Sequence, residues 1–404
     1  MNPLRILITN DTLHARGGSD LYVRDLATAL LDRGHHPVVF STVLGVVADD
    51  LWRRTVPVID DLTKLAAPPD VIHGQHHLET MMALLQFPET PAVSVCHGWV
   101  PWEEAPPRFP RILKYVVVDA TCWDRVTSLH GIAPSSVQML LNFVDLDRFE
   151  PRGPLPQQPV RAAVFSHEIA DDNSLPAIRE ACRRRGLALD VIGRAGGSVT
   201  DRPEALLPGY DVVFAKARSA LEAIAVGASV ILCSHAGLGP LVTSRDVARL
   251  RQINFGVRAI TQTISPDAVE AELSRYDPAD AAVVSAWIRA DAGRDRAVDA
   301  WLQVYDEVIR DYRQRAVVDT AAESRASAAY LRGLSEPYKA REAALRAHAA
   351  AVADREACAT ELAEVVAEHT RLAARLAEAT GRMGTMEHLR RLREQIGFAI
   401  RRRL

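Results

Sequence analysis

The sequence predicts an α/β protein: two doubly wound parallel sheets facing across a cleft, followed by a helical, coiled-coil-like tail. Three observations lead there. Short apolar strand runs alternate with amphipathic helical runs over the first 150 residues, which is how parallel strands covered on both faces read. The alternation stops at a proline- and glutamine-rich linker, EPRGPLPQQP (150–159), and then restarts. Beyond residue 316 the composition shifts to Ala, Arg and Glu, with no Gly or Pro from Tyr338 to Thr380.

The elements follow in order. LRILIT is the first strand, and NDTLHARGGS the loop after it. A helix from about Asp20 to Arg33 carries Leu21, Leu26, Ala29 and Leu30 on one stripe and stops at Gly34. HPVVFST, PDVIHGQ, PAVSVCHGW, KYVVVDA and SVQMLLN are the later strands, and LETMMALLQF and TCWDRVTSLHG are helices between them. After the linker, VRAAVFS, ALDVIG, DVVFA and SVILCS are strands, and SLPAIREACRRRG and ARSALEAIAVG helices. The spans are 1–150 and 160–294 for the two domains, 295–315 for a single amphipathic helix and 316–404 for the tail. In the tail Ala359, Leu362, Val366, His369, Ala373 and Leu376 fit alternating a and d positions, until Gly381 and Gly384 interrupt the repeat. The last segment sets Leu389, Leu392, Ile396 and Ile400 among seven arginines counted from Arg382.

A quarter of the 404 residues are charged and the formal net charge is −3, which gives no overall bias toward nucleic acid. The five cysteines are scattered with no C-x-x-C pair, so neither a zinc site nor a disulfide framework is suggested. A reducing cytoplasm is the expected compartment. The amino terminus reads as a strand rather than a signal peptide, and no apolar run reaches membrane-spanning length.

Three stretches point into the expected cleft at the carboxyl ends of the strands. In FAKARSALEAIAVGASVIL (214–232), Lys216 and Arg218 flank a helix start, where free backbone amides and two cations suit a diphosphate. Glu222, four residues after Arg218, shares its face and suits the two hydroxyls of a ribose; an i,i+4 ion pair between Arg218 and Glu222 is the competing reading. In SHAGLGPLVT (234–243), Gly237, Leu238 and Gly239 offer amides for close approach to a phosphate, or simply a turn. In ARGGSD (15–20), Gly17 and Gly18 do the same after the first strand. His73, His76 and His77 lie at a strand end where side-chain directions alternate and no carboxylate set joins them, so they make a poor metal cluster. His97 ends a strand aimed at the cleft.

These motifs together resemble a GT-B glycosyltransferase of the family 4 type, over Leu4 to Arg315. RGGSD resembles the family's amino-terminal Gly-Gly loop, VCHGW its His-Gly strand end, LLNFVDLDRF its hinge and SALEAIAVGASVIL its LEA helix. The resemblance implies that Glu222 binds a ribose, that Gly17 and Gly18 face the donor phosphates, and that His97 is catalytic beside the acceptor and donor sugar. It places Asp145 and Asp147 in the hinge rather than at a metal. It also implies a metal-independent, retaining transfer of a hexose from a UDP- or GDP-linked donor, with no separate cofactor, in polysaccharide biosynthesis. Two departures stand out. Phe214 occupies the position of the family's sugar-contacting glutamate. The stretch VFSHEIADDNSLP lacks the Arg and Lys that usually meet the diphosphate, so Lys216 and Arg218 are expected to supply that charge; His167 and Glu168 are candidates for the sugar, with a capped loop the favoured competing reading.

The expected partners are a nucleotide-sugar donor and a glycan or lipid-linked acceptor, without nucleic acid. The tail leaves its uses open: the heptad helix suits a homo-oligomer or packing back on the body, and the basic end suits peripheral contact with the inner membrane face or a merely solvated arginine-rich end. A nucleotide-sugar epimerase of the same architecture, and a non-catalytic binding or scaffold protein, are the competing functional readings.

Overall fold

The computed structural model describes residues 2–197, 200–314 and 319–380, together with Arg390, Arg391 and Glu394. Met1–Glu323 and Ser324–Leu404 form two separate units. The first lobe of the first unit carries β1 (Arg5–Thr9), α1 (Gly18–Asp32), β2 (His36–Phe40), α2 (Val46–Arg53), β3 (Val58–Ile59), β4 (Val71–Gln75), α3 (His77–Gln86), β5 (Ala92–Cys96), β6 (Ile112–Val117), α4 (Ala120–Asp124) and β7 (Val137–Met139). All seven strands are parallel, in the order β3-β2-β1-β4-β5-β6-β7.

The second lobe carries β8 (Arg161–Phe165), α5 (Leu175–Arg184), β9 (Ala188–Ile192), α6 (Pro203–Leu206), β10 (Val212–Ala215), α7 (Ala217–Ala225), β11 (Ser229–Ser234) and β12 (Gly237–Leu241). Helices α8 (Val247–Gln252), α9 (Pro266–Leu273) and α10 (Pro278–Asp291) complete it. The order is β12-β11-β10-β8-β9, parallel except for β12, which returns antiparallel along β11.

The strand orders fix where a ligand can sit. The order of strand addition reverses between β1 and β4 in one sheet and between β8 and β10 in the other, and such switch points open crevices at the carboxyl ends. The loops after β1 and β8 and the start of α7 therefore converge on one cleft.

Apolar spacing decides which helices cover the sheets. α11 (Arg294–Arg313) follows the second lobe in sequence, yet Val298, Trp301, Val304, Tyr305 and Val308 are buried in the first-lobe core against α1. Trp301 Nε1 donates to the Tyr22 hydroxyl at 2.7 Å, and the Tyr305 hydroxyl lies 2.7 Å from His73 Nδ1. Burying an indole with its N–H partnered is the kind of contact whose truncation costs about 3–5 kcal/mol. Behind the cleft, Asp145 and Arg294 pair at 2.7 Å and brace the hinge, so the DLD segment serves structure.

α12 (Thr320–Thr380) begins earlier than the Gly- and Pro-free window suggests and runs through Pro337. A proline ring crowds the carbonyl four residues before it, and that residue is Gly333, whose backbone is the freest to tilt aside. The heptad also extends upstream: Leu331, Tyr338, Leu345 and Val352 precede Ala359 at seven-residue spacing. Leu331, Tyr338 and Leu345 are exposed. Gly381, Arg382, Gly384 and the apolar positions Leu389, Leu392, Ile396 and Ile400 lie outside the described residues. Among the described residues no helix is long and apolar enough to cross a membrane.

Candidate active site

The crevice between the lobes encloses about 770 Å³ of empty space, part of it open to solvent. Its walls are Arg16, Gly17, Gly18, Leu21 and Arg24 from the first lobe, Arg148 from the hinge, and Phe165, Ser166, His167, Ile192, Gly193, Arg218, Ser219 and Glu222 from the second, with Thr200, Asp201 and Pro203 at the rim.

Gly17 caps α1 and Gly18 is its first residue. A Cβ on Gly18 would meet nothing within 4 Å. Packing therefore does not demand glycine there, and its absent side chain leaves the amino-terminal end of a 15-residue helix open to the crevice. Asp20, in the first turn, accepts from the Gly17 amide at 3.3 Å and from Asn10 Nδ2 at 2.8 Å. Burial pushes its carboxyl up to about 6, against those hydrogen bonds.

Arg218 sits at the centre. It is partly buried on α7, its Nε donates to Glu222 Oε1 at 2.8 Å, and its Nη2 donates to Asp25 on α1. Arg24 also donates to Asp25, at 2.6 and 2.8 Å, and Arg148 Nη1 lies 3.8 Å from it. Burial works to raise the Asp25 carboxyl, but Arg218, Arg24 and Arg148 outweigh it and hold it below the ordinary carboxylate range. At Glu222 burial outweighs the pull of Arg218 and the weaker one of Arg148, Asp25 adds to it, and the carboxyl is pushed up. The i,i+4 pair between Arg218 and Glu222 thus exists, but as a partly buried bridge lining the crevice rather than a solvated one.

Lys216 takes a different direction from the one expected. It caps α7, and its Nζ reaches Glu168 at 2.7 Å, which also meets His235 at 2.9 Å. Glu168 and Lys216 neutralise each other outside the crevice wall, while the neighbouring His167 lines it. The cationic charge of the crevice comes instead from Arg16, Arg24, Arg148 and Arg218. The first three were not singled out in the sequence, although Arg16 directly precedes Gly17 and Arg148 lies in the hinge motif.

Gly237, Leu238 and Gly239 do not form a phosphate loop. They are buried in β12, and Leu238 exchanges backbone hydrogen bonds with Gln262. A Cβ on Gly237 would come within 2.5 Å of the Gln262 carbonyl oxygen, and one on Gly239 within 2.6 Å of the Ala259 carbonyl oxygen. Glycine is required there so that a neighbouring chain segment can approach. Phe214 is wholly buried in β10 and is absent from the crevice wall.

His97 follows β5. Its amide donates to Glu104 Oε2 at 2.7 Å, and its ring stands edge-on to Tyr22 at 4.6 Å. Its Nε2 is buried without a hydrogen-bond partner, and burial pushes the imidazole down to about 4. The ring is set behind the crevice wall, not in it. The other histidines are occupied separately: His73 by Tyr305 and Gln75, His76 by Asp11 and Glu104, and His77 by the edge of Trp102 at 4.2 Å. Among the described residues no group of three or more His, Cys, Asp or Glu side chains is placed to hold a metal ion.

Residues 16–148 match the model of Glycosyltransferase Family 4. No curated protein matches the sequence. Among solved structures, a glycosyltransferase from Rickettsia africae superposes with a TM-score of 0.55 at 14% identity, covering 76% of this chain and 99% of that one. HepE of Anabaena, solved in complex with UDP and glucose, gives 0.53 at 14% identity, covering 75% and 99%. Sucrose-phosphate synthase of Thermosynechococcus elongatus gives 0.53 at 12% identity, covering 76% and 100%. The fold is that of the GT-B glycosyltransferases, and residues 16–148 are similar to Glycosyltransferase Family 4.

Proposed function

We propose that the protein transfers a sugar from a nucleoside-diphosphate donor bound in the crevice to an acceptor hydroxyl, without a metal ion and with retention at the anomeric carbon. One observation carries the reading: four arginines, an open helix amino terminus and a buried carboxylate converge at the switch points of both sheets. Breaking the bond between sugar and phosphate builds negative charge on the leaving diphosphate. Preorganised cations and amides meet that charge best in a site closed to water. Here Arg16, Arg24, Arg148 and Arg218 with the Gly17–Gly18 turn would take the diphosphate, and Glu222 the ribose hydroxyls. His97, neutral at physiological pH and set behind the wall in the open crevice, would meet a sugar or acceptor hydroxyl through its unpartnered Nε2 once the lobes close on the donor. HepE, bound to UDP and glucose on the same fold, supports a UDP-linked donor.

A thermal-shift screen of UDP, GDP, ADP and their sugars tests the proposal, repeated on Glu222→Ala, Arg148→Ala and Lys216→Ala. A ligand that raises Tm in the parent should lose most of its effect in the first two variants and keep it in the third. Equal shifts in all four proteins would overturn the pocket, and no shift with any nucleotide would overturn the donor.

A further inference from the structure

A second lobe of the cleft opens beside the crevice and holds about 780 Å³ of empty space, including open solvent. It shares the wall formed by Arg16, Arg24 and Arg148, but Arg218, Glu222 and the 165–167 and 192–193 segments are not part of it. Arg53 and Arg54 at the end of α2 and Arg202 before α6 line it instead. Six arginines therefore face one cavity.

Only three carboxylates, Asp50, Asp201 and Glu204, share that lining. Asp50 is divided between Arg16 at 3.1 Å and Arg53 at 2.9 Å. Glu204 is divided between Arg148 at 2.7 Å and Arg202 at 3.7 Å. Arg24 leans on Asp25, which already serves Arg218. Arg54 has no ion pair among the described residues. Arg16 Nε and Arg148 Nη1 are buried without hydrogen-bond acceptors. Guanidinium groups that outnumber their carboxylates and hold unfilled donors are built for an anion with several acceptor oxygens.

We propose that this arginine lobe binds a phosphate group carried by the acceptor, so that the sugar is passed to a phosphorylated sugar or to a phosphate-linked lipid. The inference rests on the transferase reading for the word acceptor, but the anion site stands on its own geometry. The nucleotide's diphosphate is assigned to the crevice beside Glu222. The lobe lies across the arginine wall from it, and a guanidinium with five donors can serve both sides. A phosphate there would dock the acceptor next to the leaving group.

The test uses the full-length protein saturated with the nucleoside diphosphate that raises its Tm most. Calorimetric titration compares glucose 6-phosphate with glucose at low and high salt. Flotation compares phosphatidylcholine vesicles with and without a polyprenyl phosphate. At least one phosphate probe should bind ten-fold or more tighter than its neutral counterpart and weaken with salt. Binding of glucose 6-phosphate alone identifies a soluble acceptor; binding of the vesicles alone identifies a lipid-linked one. Arg53→Ala/Arg54→Ala, at two exposed positions, should lose at least ten-fold of that affinity and keep the nucleotide shift. Nucleotide binding without preference for either phosphate probe overturns the proposal, as does a double variant that binds like the parent. Phosphate binding without any nucleotide shift would leave the lobe standing and remove the donor reading instead.

Discussion

Arg218 of the second lobe donates to Asp25 of the first, so one partly buried guanidinium ties the two walls of the cleft together. The same guanidinium holds Glu222 at 2.8 Å. Asp25 thereby gathers Arg24, Arg148 and Arg218 around a single carboxylate, and any diphosphate entering the crevice meets cations already held in place. Preorganisation of this kind is what lets a site stabilise developing charge without reorganising during reaction.

Removing Asp25 should be costly. Asp25→Ala leaves three guanidiniums around a buried hole, and breaking a buried pair from one side typically costs about 3–5 kcal/mol. Chemical denaturation should show a loss of that size. A nucleoside diphosphate should restore part of it, giving a larger ligand-induced Tm rise in the variant than in the parent. An unchanged midpoint would mean that Asp25 is not the anchor of this network.

Gly239→Ala separates two roles for the Gly-Leu-Gly segment. The added Cβ would lie 2.6 Å from the Ala259 carbonyl oxygen and 2.9 Å from Leu232 Cβ. Such overpacking costs about 1–3 kcal/mol. The expected outcome is lower stability with nucleotide affinity unchanged at a temperature where the variant is folded. A selective loss of affinity at full stability would restore the phosphate-loop role.

Much of the crevice was legible in the sequence, and what was missed has physical causes. Glu222 and Arg218 share a helical face because of their spacing, and Gly17 and Gly18 follow a first strand whose end must lie at a switch point. Lys216 turns away from the crevice because a long side chain at a strand–helix junction follows its nearest carboxylate. That is Glu168, 48 residues away in sequence. Gly237 and Gly239 lie in an edge strand under a crossing chain, which asks for the same residue as a phosphate loop does. Arg16, Arg24 and Arg148 converge from three segments, and no local pattern announces such a meeting. Leu21, assigned to an apolar stripe, proves to line the crevice.

Asp20 should make stability depend on pH. Burial raises its folded-state pKa to about 6, above the unfolded value. A carboxyl raised in this way favours the folded state only while protonated. Its contribution is complete below about pH 4 and is lost as pH rises through about 6. Asp20→Asn should therefore flatten the stability profile between those limits, and it should gain relative to the parent at pH 8. A parent-like slope in the variant would place the titration elsewhere.

The tail helix should pair with a second copy of itself. Leu331, Tyr338, Leu345, Val352, Ala359, Val366 and Ala373 keep strict seven-residue spacing, and Leu345 is half-exposed in the isolated chain. A sustained seven-residue apolar repeat is the pattern that drives helices to supercoil. Light scattering should give a dimeric mass for the full chain, and Leu345→Glu/Val352→Glu should shift it to the monomer. A monomeric parent at micromolar concentration would exclude the pairing.

His97 should act as a neutral hydrogen-bonding group rather than as a titrating acid or base. Burial holds its pKa at about 4, well below the ordinary histidine value. Between pH 5 and 8, roughly the range in which an unperturbed histidine would change charge, its protonation state should not vary, and the rate profile should show no limb that disappears in a His97 variant. His97→Ala should lower kcat by about 10- to 100-fold, the size of one lost buried hydrogen bond of about 1–3 kcal/mol. His97→Gln, which keeps a donor and an acceptor, should recover part of that loss and leave the profile's shape unchanged. The same burial has a sign for folding. The unfolded chain protonates this residue near its ordinary value while the folded one resists until about 4, so stability should fall as pH drops across that window, and less so in the glutamine variant. A kcat limb between pH 5 and 8 present in the parent and abolished in His97→Gln would show that the imidazole titrates during turnover, and the neutral role would have to be abandoned.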